Sequence, residues 1–549
     1  MPVTTIARPG LAPSRPLWKR PATWITVVVV AVAALTVAGV RLQPRHWNSC
    51  HAFSRAYLHV WPRGGDCVGV TDGGTPIDAA FGAELGGRFG ALLEAIHAEN
   101  ERVEAGRVDT PGSATDCTST AGSFVDVASL APWRSGLAGG RAFHQLAGMY
   151  VAQWQANHLR QPGGCVPFIR LLVADPGEDM NGWSEVVDEL STYDRLVAVV
   201  GLALSRTQMI EAARTLNGRG IPVVADLVTA DGFDRSNFAG VPAVCHPPQS
   251  TTGSLSMFYR IAYPNQRYFD QLGGYLRSVG LLGRGRAVQV TQDGYAQDQF
   301  ACTNVEHVNG LLDPAPDPIT FELSSDGNDP TGQILTKVAP ICTDPAVRTA
   351  FYTARAVDLA NFILALDRAC PRGITIAAGT DTTRLLTPEV SHALEMQRRA
   401  ALQVLRTGNV KVFFPATTSA AQLAGTPGFD NFKSAFTGAF AGTPHADLFP
   451  FSDAELADTW AVNAHDAMFM TAGAVHALDT NKQAYEPGHV ASNLSSFEIR
   501  DAAQGTLRFD RNGTRVGTPV VLRLCSDGVA PSTQPAIAGL PTPCPGDRR

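Results

Sequence analysis

The segment Gly201-Leu-Ala-Leu-Ser205-Arg206-Thr207 follows an apolar run at residues 196–200 and opens an amphipathic stretch. Backbone N–H groups at a helix start point outward with the positive end of the helix dipole behind them, so this junction suits a carboxylate. Two structural uses compete: Ser205 as a plain helix cap and Arg206 as a solvated charge. Asp293-Gly294-Tyr295 and Gly379-Thr380-Asp381 each close a further apolar run. Tyr295 either faces a ligand or packs on its own domain, and Asp381 either takes a ligand amine or serves as a turn carboxylate. Trp133, just past another run, either walls a cleft or fills a core. His465 and Asp466 fall mid-helix, where neighbouring side chains point about 100° apart, so both are expected to be structural. No GxSxG elbow, HExxH helix, GxxxxGK[ST] loop or Gly-rich dinucleotide fingerprint occurs. The 13 histidines show no metal-ligand spacing. Catalysis, a metal and a cofactor are therefore not expected.

At 549 residues the chain exceeds one compact core, so at least two lobes must carry these positions. A net charge of −6 gives no reason to expect a nucleic-acid partner. Ten cysteines without a CxxC pair fit disulfides in an exported chain. The expected pairs are Cys117 with Cys165, Cys342 with Cys370 and Cys525 with Cys544, although sequence does not fix connectivity. Residues 24–40 carry no charge and span roughly 26 Å as a helix, enough for one membrane crossing. Arg8, Arg15, Lys19 and Arg20 precede them, which places residues 1–23 in the cytoplasm and the bulk outside. A cleavable signal peptide fits the same run.

Residues 67–71, 123–130, 168–174, 196–200 and 221–225 read as strands apolar on both faces, alternating with helices at 81–103, 141–159 and 183–190 and one opened by Ser205. Such alternation builds a doubly wound parallel sheet covered on both sides. It breaks at 231–256 and resumes with strands at 286–291, 319–323, 374–378 and 410–414 and helices at 295–312, 346–369 and 388–405. A helix at 453–478 capped by Ser452, a hairpin at 506–516 and a Pro-rich tail complete the chain.

In this order and spacing, DGGTPIDAAFG, LLEAIHAEN, FIRLLVADPG, LVAVVGLALSRTQMIEAARTL, IPVVADLVTAD, YRIAYPN, VTQDGYAQDQF, HDAMFMTAGAVHAL and GTLRFDRNG resemble the type I periplasmic-binding-protein family, that of leucine/isoleucine/valine-binding proteins and receptor ligand-binding regions. The likeness covers about residues 66–525. It implies α/β lobes at 66–256 plus 446–525 and at 257–445, joined by a hinge of three crossings, with 526–549 as a tail. It also implies that the Ser205 loop holds the carboxylate of an amino-acid-like ligand, with Thr229 and Ala230 beside it and Tyr295 across the cleft. The implied partner is an ABC permease, or a membrane signalling protein if the chain is a sensor; an exported hydrolase or amidase is the enzyme-class alternative. Insertions at 108–122, 231–252 and 313–343 depart from the family pattern and are expected to cover the cleft or form a partner surface.

Overall fold

A computed structural model describes residues 59–531, apart from 64–65, 75–82, 109–116, 119–122, 248–252, 325–330, 444–450 and a few isolated positions, together with Cys544. The expected membrane segment, its cytoplasmic tail, Ser452 and Cys165 lie outside the described residues. Among those described, no helix is long and apolar enough to cross a membrane.

Two seven-stranded sheets form the lobes. Spatially, the first runs Val60–Arg63, Asp66–Thr71, Phe168–Asp175, Phe124–Leu130, Leu196–Gly201, Val223–Ala225, Phe258–Arg260. Its last five strands are parallel. The second runs Ile319–Phe321, Ala287–Gln292, Thr349–Tyr352, Ile374–Ala378, Val410–Ala416, Val520–Cys525, Gly528–Pro531, and here the first five are parallel. Numbered along the chain, each parallel set has the order 2-1-3-4-5. Strands such as LVAVVG at Leu196–Gly201 are buried on both faces, which their unbroken apolar run requires. Trp460–Thr480 packs on Arg141–His158 in the first lobe and is buried nearly all round, so its apolar residues are not confined to one stripe.

Each sheet adds two antiparallel strands at one edge, so the sheets are mixed where uniformly parallel ones were expected. Residues 66–71 belong to such an edge hairpin, and the parallel set begins at Phe124. An apolar run fixes burial but not strand direction. The single helix expected at 346–369 is the strand Thr349–Tyr352 followed by the helix Leu359–Ala369. TAFY, buried throughout between two parallel neighbours in its sheet, is too short to show a period. Residues 313–343 are consequently no insertion: they supply the strand Ile319–Phe321 and the crossover helix Thr331–Thr343. The expected 506–516 hairpin is a pairing of Ile499–Ala502 with Gly505–Leu507 plus one bridge, Phe509 to Arg515.

Lobe boundaries move accordingly. Phe258–Arg260 completes the first sheet, and the helix Pro427–Phe440 packs on the first lobe through Phe436 and Phe440. Val520–Cys525 and Gly528–Pro531 extend the second sheet, so part of the supposed tail is a strand. The chain therefore crosses between lobes after Arg260, after Ala416 and before Val520. Cys342 pairs with Cys370 and Cys525 with Cys544 as expected. A third bridge, Cys245 to Cys302, was not foreseen.

Candidate functional site

In a 2-1-3-4-5 sheet the chain leaves strands 1 and 3 in opposite directions, and the crevice opened at their carboxyl ends is the natural ligand position. In the first lobe these ends lead to Arg141 and Ser205. In the second they lead to Asp298 and Arg355. The two crevices face each other across one cavity, lined by Arg141, Ser205, Leu227, Thr229, Trp460 and Asn463 from the first lobe and by Phe300, Arg355, Asp381, Thr383 and Thr417 from the second and its connection. It holds about 40 Å³, room for little more than a water molecule. The lobes are closed on their own side chains.

Two buried ionic clusters fill the interface. Arg141 Nη2 donates to Asp381 Oδ1 at 2.8 Å and Nη1 to the Asp381 carbonyl at 3.0 Å. Asp381 Oδ2 accepts from the Ala356 N–H at 2.9 Å. Burial pushes the Asp381 carboxyl up, but the Arg141 and Arg355 charges and these hydrogen bonds outweigh it and leave the pKa below the ordinary value. Arg355 grips Asp298 through Nε to Oδ2 and Nη2 to Oδ1, both 2.9 Å, and stacks its guanidinium over Phe300. The same Nη2 reaches the Ser205 carbonyl of the opposite lobe at 3.1 Å.

Gly201, Leu202 and Ala203 all have positive φ, at 110°, 73° and 50°, which turns the chain sharply from strand to loop. At Gly201 a Cβ would lie 2.9 Å from the Leu130 carbonyl oxygen, so glycine is needed there. The turn carries Ser205 inward. Its hydroxyl oxygen accepts from the N–H groups of both Thr229 and Ala230 at 3.1 Å, while the following helix starts at Thr207 with Arg206 at the cap position. Ser205 is thus no helix cap; it ties the third strand's loop to the fourth strand's.

Of the other expected site residues, Thr229 and Asp381 line the cavity. Arg206 is not among the lining residues; it pairs with Asp298 across the lobes at 2.9 Å. Ala230 is buried behind Thr229, its carbonyl held by Arg260. Tyr295 does not line the cavity: Gly294, in the left-handed region at φ 66°, starts a 3-10 turn that leaves the tyrosine half-buried, and Phe300 takes the cleft position one turn later. Trp133 is fully buried in the first core with Nε1 donating to the Ala174 carbonyl at 3.0 Å. His465 and Asp466 do touch, at 2.9 Å, contrary to the angular argument. Both have structural partners, Gln155 for the histidine and the Ala503 and Gln504 N–H groups for the aspartate. Arg141, Arg355, Phe300 and Trp460 were not singled out from sequence. Arg141 carried a readable signal, the start of the helix after the first parallel strand; Arg355 lay inside the misread helix.

No protein-family model and no curated protein matches the sequence. Solved structures do. The branched-chain amino acid transporter substrate-binding protein LivJ of Streptococcus pneumoniae, in complex with isoleucine, aligns with a TM-score of 0.54 at 14% identity, covering 74% of this chain and 99% of that one. This chain has the type I periplasmic-binding-protein fold. The leucine-binding protein LivK of Thermotoga maritima aligns at 0.51 and 13% identity over 74% of this chain and 98% of its own. A solute-binding protein of an ABC transporter from R. palustris, in complex with benzoate, gives 0.51 at 15% identity over 74% and 95%. Across identities this low the fold is shared while the residues facing the cleft are this chain's own.

Thr229 offers the cleaner test of ligand contact. Removing the Ser205 hydroxyl would strand two buried N–H groups, so stability and affinity would fall together. The N–H of Thr229 goes to Ser205 and its carbonyl accepts from Asn265, both through the backbone. Thr229→Val should therefore leave the melting temperature within a degree or two and weaken a carboxylate ligand about 10-fold, the effect of one hydrogen bond to a charged group. Calorimetric titration beside a melting curve checks both.

Proposed function

We propose that this protein is an extracytoplasmic solute-binding protein that captures a small amino-acid-like zwitterion between its lobes, is held at the membrane by residues 24–40 and delivers its ligand to an ABC permease. The observation that carries the reading is the pair of opposite charges presented from opposite lobes, Arg141 and Asp381, beside Ser205 and Thr229 in one interlobe cavity. A zwitterion satisfies both charges at once: its carboxylate takes Arg141 and the Ser205–Thr229 loops, and its ammonium takes Asp381. The ion pair seen in the closed cleft stands where those two interactions would replace it, so neither charge is left buried alone when ligand enters. Contacts to both lobes favour the closed state, the basis of a two-lobed binder. The amino-acid and benzoate complexes of proteins with this fold agree with a small carboxylate ligand.

The test is thermal-shift screening of the full chain in detergent against amino acids, benzoates, amides and sugars. A ligand at 100 times its Kd raises stability by about 2.7 kcal/mol. Leucine-like amino acids should raise the melting temperature, whereas the corresponding amines and plain acids, each lacking one charge, should do so less. A response to sugars alone would overturn the zwitterion reading.

A further inference from the structure

The Cys245–Cys302 disulfide joins the two lobes. Cys245 lies in the segment between Val223–Ala225 and Phe258–Arg260, two strands of the first sheet, and this segment packs on the first core through Phe233 and Phe238. Cys302 lies on the helix Gln299–Leu311, whose Val308 packs in a core of the second lobe. The bridge is one of a row. Asp298 pairs with Arg206 at 2.9 Å, the Gln299 amide donates to the Thr207 hydroxyl at 3.1 Å, Cys302 bonds to Cys245, and His307 meets Asp231 at 2.7 Å. After the cap residue Asp298, Gln299 and Cys302 share a face of the helix, while His307, five residues on, lies about 140° round from Cys302. The ties therefore wrap part of the helix's circumference, and a cavity of about 350 Å³ lined by Asp231, Thr303, Glu306 and His307 lies beside the last of them. The opposite rim is joined differently. There Arg384 donates to the Gly136 and Leu137 carbonyls, and no described disulfide crosses it.

We propose that this seam is a covalently latched wall of the cleft, that the lobes part only at the Arg384 rim, and that solute enters and leaves there. The bridge adds a fourth covalent tie to the three chain crossings. It holds two Cα atoms of opposite lobes 5.5 Å apart, which suppresses separation and twisting along the seam and leaves a one-sided swing. Both cysteines are fully buried, so a dithiol reductant reaches the bridge only when the seam opens locally: its thiolate then attacks one sulfur of the bridge, its second thiol resolves the mixed disulfide, and two protein thiols and an oxidised reductant result. The access route rests on the solute-binding reading, but the restricted motion does not, and the test reads motion without ligand.

Spin-label pairs on the full chain report it. One pair, on Glu178→Cys and His392→Cys, spans the Arg384 rim; the other, on Val244→Cys and Glu306→Cys, spans the seam. With the bridge intact, pulsed dipolar spectroscopy should give a broad or two-peaked distance distribution at the rim and a single narrow one at the seam. In the Cys245→Ser/Cys302→Ser background the seam distribution should widen to match the rim. Equal widths at both sites with the bridge intact, or a seam unchanged by its removal, would overturn the proposal. If the double variant does not fold, Cys245→Ala/Cys302→Ala, which leaves no polar group in these fully buried positions, supplies the same comparison. A chain that shows the asymmetry and binds no amino acid would sink the functional reading and leave this one standing.

Discussion

Replacing Asp226 by asparagine should stabilise the protein by about 1–3 kcal/mol at pH 8, with the gain shrinking as pH falls and vanishing near pH 4. Asp226 ends the strand Val223–Ala225 beneath Leu227 of the cleft and has no solvent exposure. Burial pushes its pKa up to about 7, and the Gln145 amide, donating to Oδ2 at 2.6 Å, together with nearby backbone N–H groups offsets only part of that penalty. An unfolded aspartate titrates near 3.9. Between those two values the folded state holds more protons than the unfolded one, so stability falls as pH rises from about 4 and reaches its full deficit above about 7. Three units correspond to an upper bound of roughly 4 kcal/mol. Asparagine keeps an acceptor for Gln145, removes the charge and puts an N–H₂ in the place of Oδ1, which, like Gln145 Oε1, is buried without a hydrogen-bond partner. Calorimetric melting of both proteins from pH 4 to pH 8 checks the prediction. A difference that stays constant across that range would show that Asp226 carries no buried charge, and a loss at pH 8 would show that the carboxylate stabilises the loop.

Periodicity made the helices Trp183–Leu190 and Arg141–His158 legible in the sequence, together with strands such as Ile374–Ala378, because each is long enough or apolar enough to carry its own signal. Strand direction was not legible: an antiparallel edge strand and a buried parallel one both read as apolar runs, which is why the strand expected at 67–71 was assigned to the parallel set. Nor was Thr349–Tyr352, where four buried residues, three of them apolar, sit next to a helix. That misreading removed Arg355 from view, since a strand end became a helix interior. The site followed the same division. Ser205, Thr229 and Asp381, which follow strands legible in the sequence, line the cavity, whereas Tyr295 stands half-buried outside its lining, behind the one-turn delay that Gly294 introduces before the helix. Partners were less legible still. Arg141 is 240 residues from Asp381 in sequence, and no local pattern shows that their charges meet in the cleft.

The largest loss of stability should come from Asp298→Ala, about 3–5 kcal/mol, because that carboxylate serves three roles at once. Its Oδ1 accepts the N–H groups of Phe300 and Ala301, capping the helix Gln299–Leu311; both oxygens hold Arg355; and Oδ2 receives Arg206 from the other lobe. The contributions differ in kind. A cap is worth about 1 kcal/mol. Arg206 is about a third exposed, so its pair is screened and contributes under about 1 kcal/mol. Arg355 is only 3% exposed in its side chain, and without Asp298 its cation would stay buried with the Ser205 carbonyl, the Phe300 face and the Asp381 charge left to hold it and no carboxylate in direct contact. Two further variants separate these roles. Asp298→Asn, which keeps an oxygen for the cap while losing the charge, should recover only part of the loss, and Arg206→Ala should cost less than 1 kcal/mol. Burial raises the Asp298 pKa, but Arg355 and Arg206 outweigh it and leave it below the ordinary value. Its contribution is therefore complete above the unfolded value near 3.9 and is lost as pH falls through the lower folded one, opposite in sign to Asp226. Denaturant melts of the three variants at pH 7, with the alanine variant repeated at low pH, decide the matter. If Arg206→Ala proved as damaging as Asp298→Ala, the interlobe pair rather than the buried Arg355 would be what Asp298 chiefly holds.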